Sequence, residues 1–409
     1  MSCYFPIDFS PPKGSEMLVT KEELILGLRN SLSHSGIFAP LAMPLYLEKL
    51  DSDLTEAKID ANLTLIQSLQ KYTPAQIKPH LDELWSLLKK EILGIKMNVN
   101  EEVHKSCHDV IFHVTLSMSK SVQTQENREI MEKWLGKIWA DVGRHLKDIE
   151  LKFMSLSIEI LKNVISTSAA YPSTFMLEKS MPILIQVHSQ SGDLTKKAAV
   201  LHFMSEILYK SAEPGKLRPK WYDDFLHASI EGLASKNFEV EKCAARALVN
   251  GGHFIEKINA EQILDSVLLS DHFELIEVLI KRSQGSRPNE NDLQNLFSQK
   301  KSDTLAIIYK NEQFLERDLG KILSFINEDF GLELLSKIVL HHHEMKNEIL
   351  EKMLREVLVS SNSKKVEFLS GISPRLDGSF AKIIPDLIEM NEDMIKAFIC
   401  YSSPELINR

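Results

Sequence analysis

No stretch of this chain announces a chemical reaction. There is no GxxxxGK[ST] phosphate loop, no GxGxxG following a strand and no GxSxG nucleophile elbow. Carboxylate pairs such as Asp223–Asp224 occur, but charged helix faces supply them everywhere. A non-enzyme is therefore expected. The four cysteines (Cys3, Cys107, Cys243, Cys400) lie far apart and form no CxxC pair, which fits reduced thiols in the cytosol or nucleus. Glycine (16) and proline (15) are scarce for 409 residues, so the chain has little material for turns and should consist of helices with short connections. Long apolar runs are also missing. The most apolar stretch, IFAPLAMPLYL at 37–47, is too short to span a bilayer and carries Pro40 and Pro44. The first twenty residues lack a basic start followed by an apolar run, so no secretory signal is expected. The NLT sequon at 62–64 falls on a predicted helix and carries no weight. Excess positive charge is absent too. A formal charge of -9 and a pI near 5.9 argue against a broad phosphate-neutralising surface, so neither direct nucleic-acid binding nor a membrane partner is expected.

What the chain does have is repetition. Five stretches resemble one another: EAKIDANLTLIQSL, EVHKSCHDVIFHV, IELKFMSLSIEIL, LTKKAAVLHFMSEIL and FEVEKCAARALV. Each opens near a lysine (Lys58, Lys105, Lys152, Lys196, Lys242), and these lysines are 47, 47, 44 and 46 residues apart. That period suits two antiparallel helices and two loops. Leu151, Met154, Ile158, Leu161 and Ile165 advance in steps of three and four, which predicts one apolar helix face. Acidic residues precede each run, where a helix N-terminus favours them. Partner helices are predicted over 38–50, 75–93, 127–146, 173–190 and 220–234, several with proline inside or at the start (Pro40, Pro44, Pro79, Pro182). Proline-bearing first helices paired with basic second helices are similar to HEAT repeats.

The sequence predicts an all-α, right-handed superhelical solenoid of HEAT-type helix pairs. Residues 1–19 form an extended opening segment rich in aromatics and proline, 20–256 hold repeats of about 45 residues, and 257–409 hold shorter, degenerate helical repeats. In the last part the apolar cores starting at Glu274, Asp303, Gly331, Lys365 and Asp393 recur 29, 28, 34 and 28 residues apart. Both ends lack an obvious polar cap, so a segment of a longer solenoid, or a shortened form, is expected.

Three clusters invite chemistry. His104, Cys107 and His108 sit at i, i+3 and i+4 of a predicted helix with His113 beyond, the spacing of a metal face, although the same helix needs Val103, Cys107, Val110, Ile111 and Val114 for packing. The run HHHE at 341–344 closes a predicted helix and is not HExxH. Between 209 and 222, Lys210, Lys216, Arg218 and Lys220 flank Trp221 and Tyr222, a mixture of cations and rings that a nucleic-acid or acidic-protein surface would use. For each cluster the ordinary structural role is the favoured one, and no metal or cofactor is expected.

The opening stretch CYFPIDFSPP, followed after a linker by TKEELILGLRNSLSHSGIFAPLAMPLYLEKLDSDLTEAKIDANLTL, closely resembles one family. It is the large HEAT-repeat family named for sensitivity to methyl methanesulfonate, the nineteenth of that series. The matching elements are Glu23–Arg29, Pro44–Ser52 and Ala57–Lys58, within a strong match over residues 3 to 66. In that family the segment lies well inside a longer chain. The resemblance implies a non-catalytic adaptor of the cytosolic iron–sulfur assembly (CIA) targeting complex, working in cytosol and nucleus. Its implied partners are a WD40-propeller protein and a small subunit, gripped through the family's C-terminal part, so that this binding would be lost with those repeats. Its implied clients are iron–sulfur helicases and polymerases of DNA replication and repair, and the resemblance also implies a link to the transcription and excision-repair helicase complex. Tyr4, Phe5 and Phe9 are the candidate partner contacts, unless they pack onto the first helices instead. The alternatives are an importin-like transport receptor and, from the enzyme class, a HEAT-fold DNA glycosylase, which would need a basic groove at odds with the negative charge.

Overall fold

The computed structural model describes residues 20–94, 100–147, 151–167, 169–211, 219–283, 287–341 and 347–360, with 364 and 368. Among them every regular element is helical. Two compact units divide the chain, residues 1–254 and 255–409.

The first unit contains α1 (Lys21–Ser33), α2 (Ala39–Leu50), α3 (Thr55–Ser68), α4 (Pro74–Ile77), α5 (Leu81–Ile92), α6 (Glu101–Ser119), α7 (Gln125–His145), α8 (Leu151–Ile165), α9 (Ala170–Gln190), α10 (Leu194–Lys210), α11 (Tyr222–Leu233) and α12 (Phe238–Asn250). Their starts follow from local chemistry. Thr20 and Glu23 form a reciprocal capping box at α1, and Asn100, Thr124, Asp193 and Asn237 accept first-turn N–H groups at α6, α7, α10 and α12. The helices pair as α2/α3, α5/α6, α7/α8, α9/α10 and α11/α12. Along the stack they form two layers. One layer, here called outer, packs α2 on α5, α5 on α7, α7 on α9 and α9 on α11; the other, inner, packs α1 on α3, α3 on α6, α6 on α8, α8 on α10 and α10 on α12. The five lysine-led runs of the sequence are the inner helices α3, α6, α8, α10 and α12. This is a solenoid of HEAT-type pairs, as expected.

The core lies between the layers. Met154, Ile158, Leu161 and Ile165 of α8 are fully or almost fully buried, as their spacing predicts, and Leu151 is half-buried. Trp134 of α7 is wholly buried, edge-on to Trp85 at 6.0 Å, and its Nε1 donates to the Thr115 hydroxyl at 3.0 Å.

One local expectation is corrected. The stretch 75–93 is not one helix: Pro79 lacks an N–H and forces a single tight turn, Lys78–His80, between α4 and α5. The five register lysines mark a period rather than a shared contact. Only Lys58 is buried, pairing with Glu91 at 2.6 Å, whereas Lys105, Lys152 and Lys242 are exposed.

What ties neighbouring inner helices together is a ladder of polar rungs. Arg29 pairs with Asp60 between α1 and α3. Asn62 reaches Ser106 at 2.9 Å, Asn163 reaches His108 at 2.9 Å, Lys162 reaches Glu206 at 2.7 Å and Asn250 reaches the Ser205 hydroxyl at 2.8 Å. Each inner interface of this unit therefore carries at least one polar contact inside an apolar seam. A slip of one residue along the stack would bury these groups without partners, which costs more than the contacts gain.

The second unit repeats the plan with shorter helices: α13 (Lys257–Val267), α14 (Phe273–Arg282), α15 (Glu290–Ser298), α16 (Ser302–Ile308), α17 (Glu312–Leu323), α18 (Asp329–His341) and α19 (Asn347–Val359). α13 packs on α14, α15 on α16 and α17 on α18, while α14, α16 and α18 stack in order. Arg287 and Tyr309 both donate to Asp318, at 2.7 and 3.2 Å, and Lys337 joins α18 to Asp303 of α16 at 2.7 Å.

Candidate functional site

The sequence-predicted contact residues Tyr4, Phe5 and Phe9 lie outside the described residues, as do Lys216, Arg218 and most of the HHHE run. The other candidates have definite places. His104, Cys107 and His108 share one end of α6 but do not converge. The rings of His104 and His108 meet edge-on at 4.8 Å, Nδ1 of His108 faces the Asn163 amide at 2.9 Å, and Cys107 lies 3.6 Å from the Asn62 amide. His113 turns away against Phe112. Burial, with the charges of His104 and Lys162, lowers His108 to about 4 and keeps its imidazole neutral. Among the described residues no group of three or more His, Cys, Asp or Glu is placed to hold a metal ion.

Trp221 and Tyr222 are not an exposed stacking platform. Trp221 is 3% exposed and sits edge-on to Phe254 and Phe225 at 5.3 and 6.2 Å, and Tyr222 is fully buried. They belong to the core where α11 meets the turn Gly252–Phe254, because the register of α11 points both inward.

A site that sequence reasoning missed lies between the C-terminal ends of α5 and α7. Lys89 and Lys90 occupy the last turn of α5, and Arg144 and His145 the last turn of α7, where the negative helix end favours cations. With Leu93 and Asp141 they line an open recess of about 480 Å³. Asp141 is its floor. It accepts from Nε1 of Trp85 at 2.8 Å, from Lys89 at 3.1 Å and from Arg144 at 2.8 Å. Burial alone would raise this carboxyl; the Trp85 indole, Lys89 and Arg144 outweigh burial and hold it below the usual range. Lys90 pairs with Asp51 at 2.9 Å from the rim. The arrangement presents cationic heads, Arg144 the most exposed, around a carboxylate already satisfied by three donors. Chemically it suits the acidic side chains of a protein segment. The only signal in the sequence is basic residues closing two successive outer helices, KKEI and GRH, which the net charge of -9 hides.

Comparison with known proteins places this architecture. The family described as "Dos2-interacting transcription regulator of RNA-Pol-II", MMS19_N, matches residues 1–94. Relatives named "MMS19 nucleotide excision repair protein homolog" match further along the stack. The Xenopus tropicalis protein is 28% identical over 225 residues, covering 54% of this chain and 21% of its own length. The human protein is 28% identical over 233 residues, covering 57% and 22%. The chain is thus similar to MMS19 proteins over more than half of its length. The Dictyostelium discoideum protein extends the match to 339 residues at 27% identity, 76% of this chain and 29% of that one. The chain thus matches under a third of the length of these relatives. Among solved structures, the crystal structure of Kap121p aligns over 90% of this chain and 37% of its own, with 13% identity and a TM-score of 0.47, a likeness too low to carry a functional inference.

Proposed function

We propose that this chain is a non-catalytic scaffold of the CIA targeting complex, acting in cytosol and nucleus in support of DNA repair and transcription. It holds apoprotein clients of replication and repair, the iron–sulfur helicases and polymerases, while their clusters are inserted. The cluster is cargo delivered to the client, and the chain itself supplies surface. The observation that supports this role is the similarity to relatives named for nucleotide excision repair and to a family model described as a transcription regulator of RNA polymerase II. The form of the molecule suits it. A stack of helix pairs offers long faces on which several partners can sit at once, with affinity concentrated in a few anchors. The basic recess of Lys89, Lys90 and Arg144 is one such anchor, suited to an acidic client segment.

Affinity capture of the tagged full chain from cells tests this role in two arms. Recovery of cluster-bearing helicases or polymerases supports client holding, and a Lys89→Glu/Arg144→Glu variant of unchanged thermal stability should recover several-fold less. Recovery of the WD40 propeller and the small subunit would add that the assembly partners are gripped within these 409 residues. Capture of neither clients nor assembly partners, or of a GTP-loaded small GTPase with basic cargo in their place, contradicts the role.

A further inference from the structure

The recess at the ends of α5 and α7 continues along the seam between them. Asp82, in the first turn of α5, lies 2.9 Å from Nζ of Lys137 and 3.6 Å from Nζ of Lys133, both on α7. Further on, Trp85 and Lys89 of α5 donate to Asp141 of α7. These contacts advance together along both helices, so α5 and α7 run parallel and their C-terminal ends share one end of the seam. Lys137 and Lys133 lie 7 and 11 positions before Arg144, which sets the three cations on one face of α7 over about 16 Å. Between the cations that face is low. Ala140 is exposed, and a Cβ added at Gly136 would meet nothing within 4 Å.

The strip reverses the charge of the chain locally. From Lys133 to Arg144, α7 carries three cations and one carboxylate, whereas the whole chain has a formal charge of -9. The outer helix α11 shows the contrary pattern, with Asp223, Asp224 and Glu231 and no lysine or arginine. Neither carboxylate of the seam cancels the strip. Asp82 is shared by two lysines, and such exposed pairs are worth little. Asp141 is held by the Trp85 indole as well as by Lys89 and Arg144, so it fixes the cationic heads in place while Arg144 stays 77% exposed. No aromatic residue shares the face of Lys133, Lys137 and Arg144, so a nucleic acid would find charge there but no ring to stack on.

We infer that this strip binds an α-helix of a partner protein, antiparallel to α7, whose first turn is acidic and whose carboxylates recur 7 and 11 positions later, matching Lys137 and Lys133. The inference rests on the reading of the recess as an anchor for acidic segments and gives that segment a shape. Both helices rise about 1.5 Å per residue. A partner with its first-turn carboxylate at Lys89 and Arg144 therefore brings its later ones opposite Lys137 and then Lys133. The direction follows from the helix ends. The recess lies at the negative ends of α5 and α7, which favour the positive N-terminus of an incoming helix, and a first turn favours Asp and Glu. Gly136 and Ala140 leave room for the partner's backbone between the two charged contacts.

The test is fluorescence anisotropy with the full chain at low ionic strength. The probe is a labelled, stapled helical peptide with glutamates in that spacing. Its control has equal charge, with the second and third glutamates moved to the opposite face. The matched peptide should bind several-fold more tightly than the control, and added salt should weaken it. Lys133→Gln/Lys137→Gln removes two solvent-facing heads and should abolish the preference with thermal stability unchanged. Lys89→Gln/Arg144→Gln should weaken both peptides. Carbodiimide coupling should join the first-turn glutamate to Lys89 or Lys90. No binding, equal affinity for the two peptides, a preference that survives Lys133→Gln/Lys137→Gln, coupling of the first-turn glutamate to Lys133, or tighter binding of a single-stranded oligonucleotide would each overturn the assignment. Client capture fails separately: its failure with the peptide preference intact removes the scaffold role and keeps the strip, and capture without any peptide preference does the reverse.

Discussion

Asn62 and Ser106, 44 positions apart in the chain, meet at 2.9 Å between two neighbouring inner helices, both almost shut off from solvent. The contact is one rung of a ladder that fixes each helix pair against the next. Asn62→Ala should cost about 1–3 kcal/mol, since it removes a buried hydrogen bond and leaves a small void. Asn62→Leu combined with Ser106→Ala should recover most of that loss, because an apolar pair needs no partners. Urea unfolding with both variants checks it; equal losses in the single and double variants would show that the rung contributes nothing specific.

Gly232 marks the closest approach of α11 to its pair mate. A Cβ there would lie 2.8 Å from Cβ of Ala244 and 3.0 Å from Cδ1 of Leu201. In an exposed helix Gly→Ala would stabilise by up to about 1 kcal/mol. Here the overpacking outweighs that gain, and Gly232→Ala should destabilise by about 1–3 kcal/mol. Thermal unfolding of the variant decides the sign.

The buried His108 makes stability pH-dependent. Its folded-state pKa is lowered to about 4, first by burial and then by the charges of His104 and Lys162, from 6.5 when unfolded. Above 6.5 it is neutral in both states and costs nothing. As pH falls from 6.5 toward 4 the unfolded chain takes up a proton that the folded chain refuses, so stability declines across that window, by up to roughly 3 kcal/mol. His188, fully buried and also lowered by burial, adds in the same direction. A His108→Gln variant should show a shallower decline in stability between pH 6.5 and 4 than the parent chain.

Lys300, just beyond the end of α15, has φ of 55°, the left-handed region that an L side chain adopts at a cost. Its ion pair with Glu328 is largely exposed and offsets little of this. Lys300→Gly should stabilise the second unit by about 1 kcal/mol, read as a higher urea midpoint.

Much of the stack was legible in the sequence. The inner helices announce themselves because each must bury a continuous stripe, such as Met154–Ile158–Leu161–Ile165, against two neighbours and a pair mate. The rungs were not legible. Asn62, Ser106 and Asn163 are ordinary polar residues whose partners are decided only when two helices 44 to 55 residues apart come into register. The same holds for the candidate sites. His104, Cys107 and His108 have the spacing of a metal face, yet tertiary packing gives the last two different neighbours, Asn62 and Asn163. Trp221 and Tyr222 read as exposed rings beside lysines until the register of α11 turns them inward. The recess of Lys89, Lys90 and Arg144 escaped notice because its cations close two separate helices within a net-acidic chain.

The scaffold role is tested most directly by cluster delivery. Cells are depleted of this protein, labelled with radioactive iron and assayed for iron in an immunoprecipitated iron–sulfur helicase of excision repair. The scaffold account predicts that iron in the helicase falls several-fold while a mitochondrial iron–sulfur enzyme keeps its label, and that the full chain restores it. Unchanged helicase labelling in depleted cells would contradict the account.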